Sequence, residues 1–268
     1  MKWTLPIASY LGLLVTATVA TAQVDDPRGE TARSRSITLG NGVALEMVWI
    51  PPGTFTMGSP ESEQGRDNDE KEHRVTLTKG FWMGKFEVTQ EQWQAVMGNN
   101  PSEFKGAKLP VEQVSWDDCQ SFLQNLNRVS GIGRRVSLGQ FRLPTEAEWE
   151  YACRAGRTVP YAGDLAVMGW YDKISESKTH PVGQKQPNAW GLYDMHGNVW
   201  EWCQDRGGDY PGCAVTDPEG ALSGSFRVFR GGSWDFTAVG CRSANRLRYV
   251  PIYRYDDLGV RVVLAPAP

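Results

Sequence analysis

Apolar and polar residues alternate in short segments along the first third of this chain, with the two-residue period of half-buried strands. Val75–Thr78 follows that period, and Val43–Ile50 has the composition of a strand before the turn that Pro51 begins. Both segments are therefore predicted to be strands. The polar and acidic stretch between them, Glu61–Glu72, is predicted to be a surface loop.

Three later segments change to the helical period, and each has a recognisable beginning. A hydroxyl side chain at the N-cap accepts a hydrogen bond from the first turn, and Gln92 and Glu148 each stand three residues after such a side chain, as a capping box requires. The N-cap residues are Thr89, Ser115 and Thr145, and the expected helix ends lie near Gly98, Gly131 and Gly156.

After Gly156 the helical period does not recur, and short apolar patches alternate with Gly, Asn, Asp and Pro. Phe226–Arg230 and Gly259–Leu264 are predicted to be late strands. The 29 Gly and 16 Pro among 268 residues exclude a fold of long helices. The chain is expected to combine short helices, short strands and long loops in one domain over residues 37–268.

The amino terminus has the features of a targeting segment. Met1–Lys2 precedes an apolar run that ends in Ala20–Thr21–Ala22, which predicts a secretory signal peptide over residues 1–22 cleaved after Ala22. Residues 23–36 are predicted to be a flexible leader. No second apolar stretch approaches the length of a bilayer span, so the mature protein is expected in the periplasm or outside the cell, with no membrane span.

Charge and motif content exclude several classes of function. A net charge of −3 leaves no basic surface for nucleic acid. The three histidines form no metal-binding pattern, and the chain has no Cys-x-x-Cys, nucleophile elbow or phosphate-binding loop.

One stretch, Gly191–Trp202, does carry candidate chemistry. Asp194 and Glu201 bracket a Gly-Asn turn, and two carboxylates with the carbonyls between them are the hard oxygen ligands that suit calcium. The alternative is a turn in which the acids only accept hydrogen bonds from backbone N–H groups. The spacing alone leaves both interpretations open.

Seven motifs occur in order between Ile37 and Leu264. They are Met47–Gly58, Glu87–Thr89, Pro110–Trp116, Arg142–Ala152, Gly191–Trp202, Arg230–Trp234 and Arg242–Ala244. Together they resemble the motifs of the formylglycine-generating enzyme (sulfatase-modifying factor) family. The resemblance implies an α+β fold, a loop-rich variant of the C-type lectin fold with little regular secondary structure.

The resemblance also implies a structural calcium ion in the Gly191–Trp202 loop. The matching ligands would be the side chains of Asp194 and Glu201 and the backbone carbonyls of Gly197 and Val199. A second calcium site of the family draws on the segment before the His-Pro-Val-Gly motif, and its ligands are left unassigned between Ala162 and Thr179.

The pair of cysteines that the resemblance predicts is incomplete in this chain. Formylglycine-generating enzymes use two cysteines, five residues apart after a Gly-Gly-Ser motif, to bind Cu(I), which prefers soft thiolates. Counted from Gly231–Ser233, these positions are Phe236 and Cys241. Because Phe236 cannot ligate copper, copper is not expected as a cofactor.

The other cysteines are expected to form disulfides in an exported protein. Many family members keep cysteines in the contexts of Cys153 and Cys241, so the resemblance implies a bridge between these two. Cys203 and Cys213 could close a second, smaller loop. Cys119 would remain a buried thiol on the apolar face of its helix.

Two hypotheses for the function remain. In the first, an exported oxidase acts on a sulfatase-type cysteine or a small molecule, with Cys241 as nucleophile or ligand, helped by Trp234, Arg242 or Arg246. In the second, the same scaffold, held by calcium and disulfides, presents an aromatic surface to a protein or glycan without turnover. A sulfoxide synthase is disfavoured because the chain lacks the additional helical domain and the iron-binding histidines. A monomer is expected.

Overall fold

The computed structural model describes residues 23–25, 31–130 and 139–265, and the predicted signal peptide over residues 1–22 lies outside these ranges. The helices in the described part are α1 Gln90–Met97, α2 Trp116–Val129, α3 Glu146–Arg154 and α4 Leu165–Met168. The strands are β1 Gln23–Asp25, β2 Thr31–Thr38, β3 Ala44–Ile50, β4 Gly53–Met57, β5 His73–Leu77, β6 Phe81–Gly84, β7 Gln140–Arg142, β8 Trp200–Arg206, β9 Val215–Thr216, β10 Arg227–Arg230, β11 Arg246–Tyr249, β12 Leu258–Gly259 and β13 Val263–Ala265.

The largest sheet has the strand order β1-β2-β3-β6-β13-β7, so it joins the start and the end of the described chain. In the antiparallel β2–β3 pair, Ile37 lies opposite Leu45, and both side chains are buried. The prediction of a flexible leader up to residue 36 is wrong from Thr31 onwards. The backbone of β3 supplies hydrogen-bond partners to a polar segment whose composition alone gives no strand signal.

The three predicted helix starts are confirmed. Complete capping boxes form at Thr89, Ser115 and Thr145, each with a side-chain oxygen that accepts from the N3 backbone N–H. On α2, Phe122 belongs to a stripe of buried apolar residues, and its ring stacks on Trp93 of α1 at 4.8 Å between centroids. Helix–helix packing thus fixes these two short helices against the large sheet.

The loop-rich second half contains more regular structure than the sequence predicts. It forms a four-stranded sheet of order β11-β10-β8-β12, and β9 completes a three-stranded sheet of order β4-β5-β9. Strand β8 was missed because its first four side chains, Trp200–Cys203, are all buried and show no alternation. The predicted strand Gly259–Leu264 is divided between β12 and β13, and the short helix α4 was not predicted.

The sheets and helices enclose two apolar clusters. One contains α1, α2 and the aromatic side chains of Trp200, Trp202 and Phe229. The other surrounds α3, with Trp149 fully buried at its centre. No helix in the described ranges is long and apolar enough to cross a membrane.

Candidate functional site

The loop that precedes β8 is held in a strained conformation by its polar side chains. Asp194, Gly197 and Asn198 have φ values of 58°, 112° and 70°, in the region that favours Gly, Asn and Asp. A side chain at Gly197 would collide with the carbonyl of Trp170, so glycine is required there. Asn198 stabilises the turn by accepting from the His180 N–H at 2.9 Å.

Three buried carboxylates converge on this loop. Glu201 accepts hydrogen bonds from the Arg261 guanidinium at 2.7–3.0 Å and from the Trp149 indole at 2.6 Å. Glu87, contributed by the segment before α1, accepts from the Val199 N–H at 3.0 Å and from the Asn198 amide at 2.7 Å.

Asp194 is the third carboxylate. Its Oδ2 accepts from the Gly183 N–H at 2.7 Å, whereas its Oδ1 is buried without a hydrogen-bond partner.

The charges in this cluster do not balance. Burial raises the pKa of Glu87 well above its usual range, and the charges of Asp194 and Glu201 raise it further. Burial also raises the pKa of Asp194, to about 6. The Arg261 guanidinium neutralises Glu201. The carboxyls of Glu87 and Asp194 lie near the same guanidinium, so one positive charge faces three carboxyl groups.

This geometry changes the calcium ligands that the sequence predicted. The unpartnered Oδ1 of Asp194 and the surplus of carboxyls fit a bound cation. Glu201 fits less well, since Arg261 and Trp149 already occupy its oxygens. The described residues contain no group of three or more His, Cys, Asp or Glu side chains arranged around one metal position. Calcium would therefore rest on Asp194 and loop carbonyls, such as those of Gly197 and Val199.

The position of the expected thiol pair is occupied by one aromatic ring and one buried thiol. Phe236 is 37% exposed, and its ring packs edge-on against Trp200 at 5.0 Å between centroids. Cys241 is fully buried under Gly232, where an added Cβ would lie 2.5 Å from the Cys241 sulfur. Burial raises the pKa of the Cys241 thiol to about 12. The residues present do not fit copper, because a ring and an inaccessible thiol offer no pair of thiolates.

A second thiol, Cys153, lies in the same buried region without forming a disulfide. Its sulfur is 3.6 Å from the Ser243 hydroxyl and 3.8 Å from the His196 ring. His196 accepts from the Ala162 N–H at 3.0 Å and donates to the Cys241 carbonyl at 2.9 Å. Burial lowers the pKa of His196 to about 4, so the ring is neutral and does not act as a base towards Cys153.

All five cysteines of the chain are free thiols in the structure. The predicted bridges Cys153–Cys241 and Cys203–Cys213 are therefore wrong. Cys203 is buried in β8, whereas Cys213 is exposed in the loop that follows. Cys119 is a buried thiol on α2, as predicted.

The two arginines predicted to assist catalysis are structural. Arg242 donates to Glu63 at 2.6 Å and to both oxygens of Glu70 at 2.7–2.8 Å. Arg246 forms a bidentate pair with Glu146 at 2.7 Å. Arg242 donates five hydrogen bonds to protein acceptors and Arg246 donates four, so both guanidiniums are committed to holding the protein together.

These ion pairs also correct the prediction of a surface loop at Glu61–Glu72. Glu63 and Glu70 are buried, and Arg242 holds both of them against the start of β11. Two acidic residues of this segment pair with Arg242, which is more than 170 residues away in sequence. No local sequence pattern can reveal such a pairing.

Trp234 is likewise held inside the protein. Its indole donates to the Asp256 carbonyl at 3.2 Å, and Phe104 packs edge-on against its ring. The preceding residue, Ser233, donates to Asp257 at 2.8 Å. Trp234 therefore anchors the loop before β12.

A surface feature that the sequence did not place is a row of aromatic rings, here called the aromatic face: Phe226, Tyr249, Tyr253 and Tyr255. The centroid distances along the row are 6.4, 4.3 and 5.9 Å. Tyr249 is 48% and Tyr255 50% exposed, whereas Tyr253 packs partly against the core. The repeated Tyr in Tyr253–Tyr255 was a signal for this surface, but the other two rings come from the residue before β10 and from the end of β11.

The fold and the site define a protein of the C-type-lectin-like class, in the loop-rich form that formylglycine-generating enzymes adopt. The chain belongs to the family described as the sulfatase-modifying factor enzyme 1-like domain, whose match covers residues 40–266. The sequence resemblance to that family is confirmed.

Three comparisons place the chain among proteins with different names. It is 32% identical to the chaperone protein LppX of Paenibacillus barcinonensis, over 74% of this chain and 81% of that protein. It is 29% identical to the formylglycine-generating enzyme of Mus musculus, over 81% and 74%. The solved structure of Treponema denticola variable protein 1 is 33% identical, has a TM-score of 0.79, and covers 87% of this chain and 99% of that one.

Proposed function

We propose that this chain is an exported binding protein that performs no turnover, is stabilised by calcium, and recognises a protein or glycan through its aromatic face. The observation that carries the proposal is the replacement of a thiol pair by Phe236 and the buried Cys241. Oxidation of a substrate cysteine by the family's chemistry needs two thiolates that can reach a metal.

The charged groups around Cys241 support the same conclusion. Arg242 and Arg246 neutralise Glu63, Glu70 and Glu146, so they hold the scaffold together. A buried thiol whose pKa is raised to about 12 is a poor nucleophile at neutral pH, because the reactive form is the thiolate.

The aromatic face supplies what a binding surface needs. Tyr side chains combine a large apolar ring with a hydrogen-bonding hydroxyl and lose little conformational entropy on binding. Tyr253 is packed against the core and so holds its exposed neighbours Tyr249 and Tyr255 in place. Such a preorganised row of rings suits the apolar faces of sugars or the side chains of a protein partner.

The binding experiment screens the mature protein against defined oligosaccharides and peptides by surface plasmon resonance. The double variant Tyr249→Ala/Tyr255→Ala is expected to lose at least tenfold in affinity for any ligand that the native protein binds. Val159→Ala, which truncates an exposed apolar side chain away from the face, serves as the matched control and should leave the affinity unchanged. Equal affinity of the double variant and the native protein would contradict the role of the aromatic face.

The alternative function is oxidation of a sulfatase cysteine or a small molecule. The name of the mouse relative favours it. Counted from Gly231–Ser233, Cys241 stands where the resemblance places one of the two thiols. Titration of the folded protein with Cu(I) in competition with a chromophoric chelator distinguishes the two functions. We expect no transfer of copper to the native protein, whereas stoichiometric transfer would favour the oxidase.

A further inference from the structure

A separate cavity of about 480 Å³ lies between β5, the start of α3, the end of β8 and the loop that follows it. It is lined by none of the residues of the aromatic face or of the calcium loop. Its walls are apolar over much of their area, and the apolar lining side chains are Met57, Ala147, Pro211, Val215, Pro218 and Leu222. A concave apolar site with a few polar groups is the usual form of a small-molecule site.

Most polar groups at the cavity are already satisfied by one another. Arg246 pairs with both oxygens of Glu146 and also donates to the Gly208 carbonyl at 2.9 Å. The Tyr210 hydroxyl donates to Glu146 at 3.0 Å, and the His73 ring packs on the Tyr210 ring at 4.7 Å. These contacts join Arg246, Glu146, Tyr210 and His73 into one polar wall of the cavity.

Asp205 is the exception. It is only 3% exposed, and its Oδ2 accepts from the Glu146 N–H at the first turn of α3, at 2.8 Å. No described residue donates to Oδ1. Asp205 lines the cavity, and its Oδ1 keeps some contact with solvent although the residue as a whole is buried. An oxygen to which no described residue donates is able to accept a hydrogen bond from a ligand in the cavity.

The charge at the cavity specifies the kind of partner. Its lining includes four carboxyl groups and two guanidiniums, and the acids are Glu146, Asp205, Asp209 and Glu219. Among the lining residues Arg246 is committed to Glu146, which leaves Arg206 to face the other three acids, while Arg142 and Arg227 act on Asp205 from outside the lining. The local potential therefore favours a cation over an anion.

We propose that this cavity binds the ammonium group of a small organic amine, with Asp205 Oδ1 accepting its N–H and the apolar walls enclosing its carbon chain. Nothing in this second site depends on the proposed role of the aromatic face. The ligand class combines one positive charge with a short aliphatic stem, because Asp205 is the buried acid of the lining that has an oxygen without a described donor, and apolar side chains line the same cavity.

Proton linkage gives this site a measurable signature. Burial raises the pKa of Asp205 to about 8, and the charges of Glu146 and Glu148 act in the same direction. Arg246 acts in the opposite direction, and the other charged groups that sense Asp205 are Arg142 on β7 and Arg227 on β10. Below pH 8 the carboxyl holds a proton that an ammonium ligand must displace. The affinity should therefore rise about tenfold per pH unit up to about pH 8.

Isothermal titration calorimetry with 1-pentylamine, and with 1-pentanol as the uncharged comparison, tests the site. The native protein should bind the amine and not the alcohol, and at pH 7 in two buffers of different ionisation enthalpy it should release close to one proton per amine. Asp205→Asn keeps an oxygen for the Glu146 N–H and should bind at least tenfold more weakly with no proton release. The matched control Glu61→Gln, an exposed acid outside the cavity, should bind as the native protein does.

A second variant guards against misfolding of Asp205→Asn. Ala221→Leu adds volume at the cavity wall without changing any charge, and it should also weaken binding while the circular-dichroism melt stays native. Undiminished amine binding by both variants, or no amine binding by the native protein between pH 6 and pH 9, would overturn the proposal.

Discussion

Arg242 illustrates how a residue in a recognised motif can have a different role from the one its motif suggests. The Arg242–Ala244 motif follows the expected thiol position, and that proximity in sequence predicted a catalytic helper. In the structure the guanidinium is buried between Glu63 and Glu70, so its function is to bind an acidic segment to the core. The pairing was not predictable because the partners are separated by more than 170 residues.

The structural role of Arg242 can be measured. Arg242→Met is expected to lower the free energy of unfolding by about 3 kcal/mol, because it leaves two buried carboxylates without a counter-ion. Chemical denaturation at pH 7 gives this value. Arg248→Met, on the exposed side of β11, is the matched control and should change the stability by less than about 0.5 kcal/mol. If both variants proved equally stable, the buried network would not hold the segment as described.

At the scale of elements, the predictions that succeeded are those with local causes. The capping boxes at Thr89, Ser115 and Thr145 involve residues three apart, and all three formed as expected for helix starts. Strand-like composition identified β3, and alternation identified β5, whose residues are buried at every second position.

The elements that were missed have distant causes. Strand β8 is buried on both faces, and β2 is polar but paired with β3, so neither shows a period in its own sequence. The candidate site follows the same rule: its local features were predicted from the sequence, and its long-range contacts were not. The turn around Asp194 and the absence of a second thiol were visible in sequence, whereas the ion pair of Glu201 with Arg261 was not.

A helix cap offers a test at this scale. Ser115→Ala removes the side-chain oxygen that accepts from the Asp118 N–H at 3.1 Å and should destabilise the protein by about 1 kcal/mol. Ser121→Ala, at an exposed position on the same helix, is the control and should have a smaller effect. Thermal melts of the two variants give the comparison, and equal melting temperatures would show that the capping box contributes nothing to stability.

For the molecule as a whole, the surplus of buried carboxyls around Asp194 predicts a dependence of stability on calcium. Added calcium should raise the melting temperature with the logarithm of its concentration, and EDTA should lower it, because a cation that binds only the folded state stabilises it. Magnesium at the same concentration should have a smaller effect, since it demands a stricter octahedral geometry.

A variant of the loop makes the calcium test specific. In Asp194→Gly the carboxylate is removed while the φ of 58° stays accessible, so the melting temperature should no longer respond to calcium. An unchanged response in this variant would exclude Asp194 as a ligand. A native protein whose melt is indifferent to both calcium and EDTA would exclude a structural calcium ion altogether.

The central claim is that a scaffold shared with oxidising enzymes has here lost the thiol pair on which their chemistry depends, because Phe236 and a buried Cys241 stand in its place. The most direct test incubates the protein, loaded with copper in the presence of oxygen, with a Cys-x-Pro-x-Arg peptide and follows the peptide by mass spectrometry, with the mouse formylglycine-generating enzyme as positive control. The account predicts that the peptide cysteine stays unconverted while the control yields an aldehyde. Aldehyde formation by this protein above the background of copper alone would contradict it.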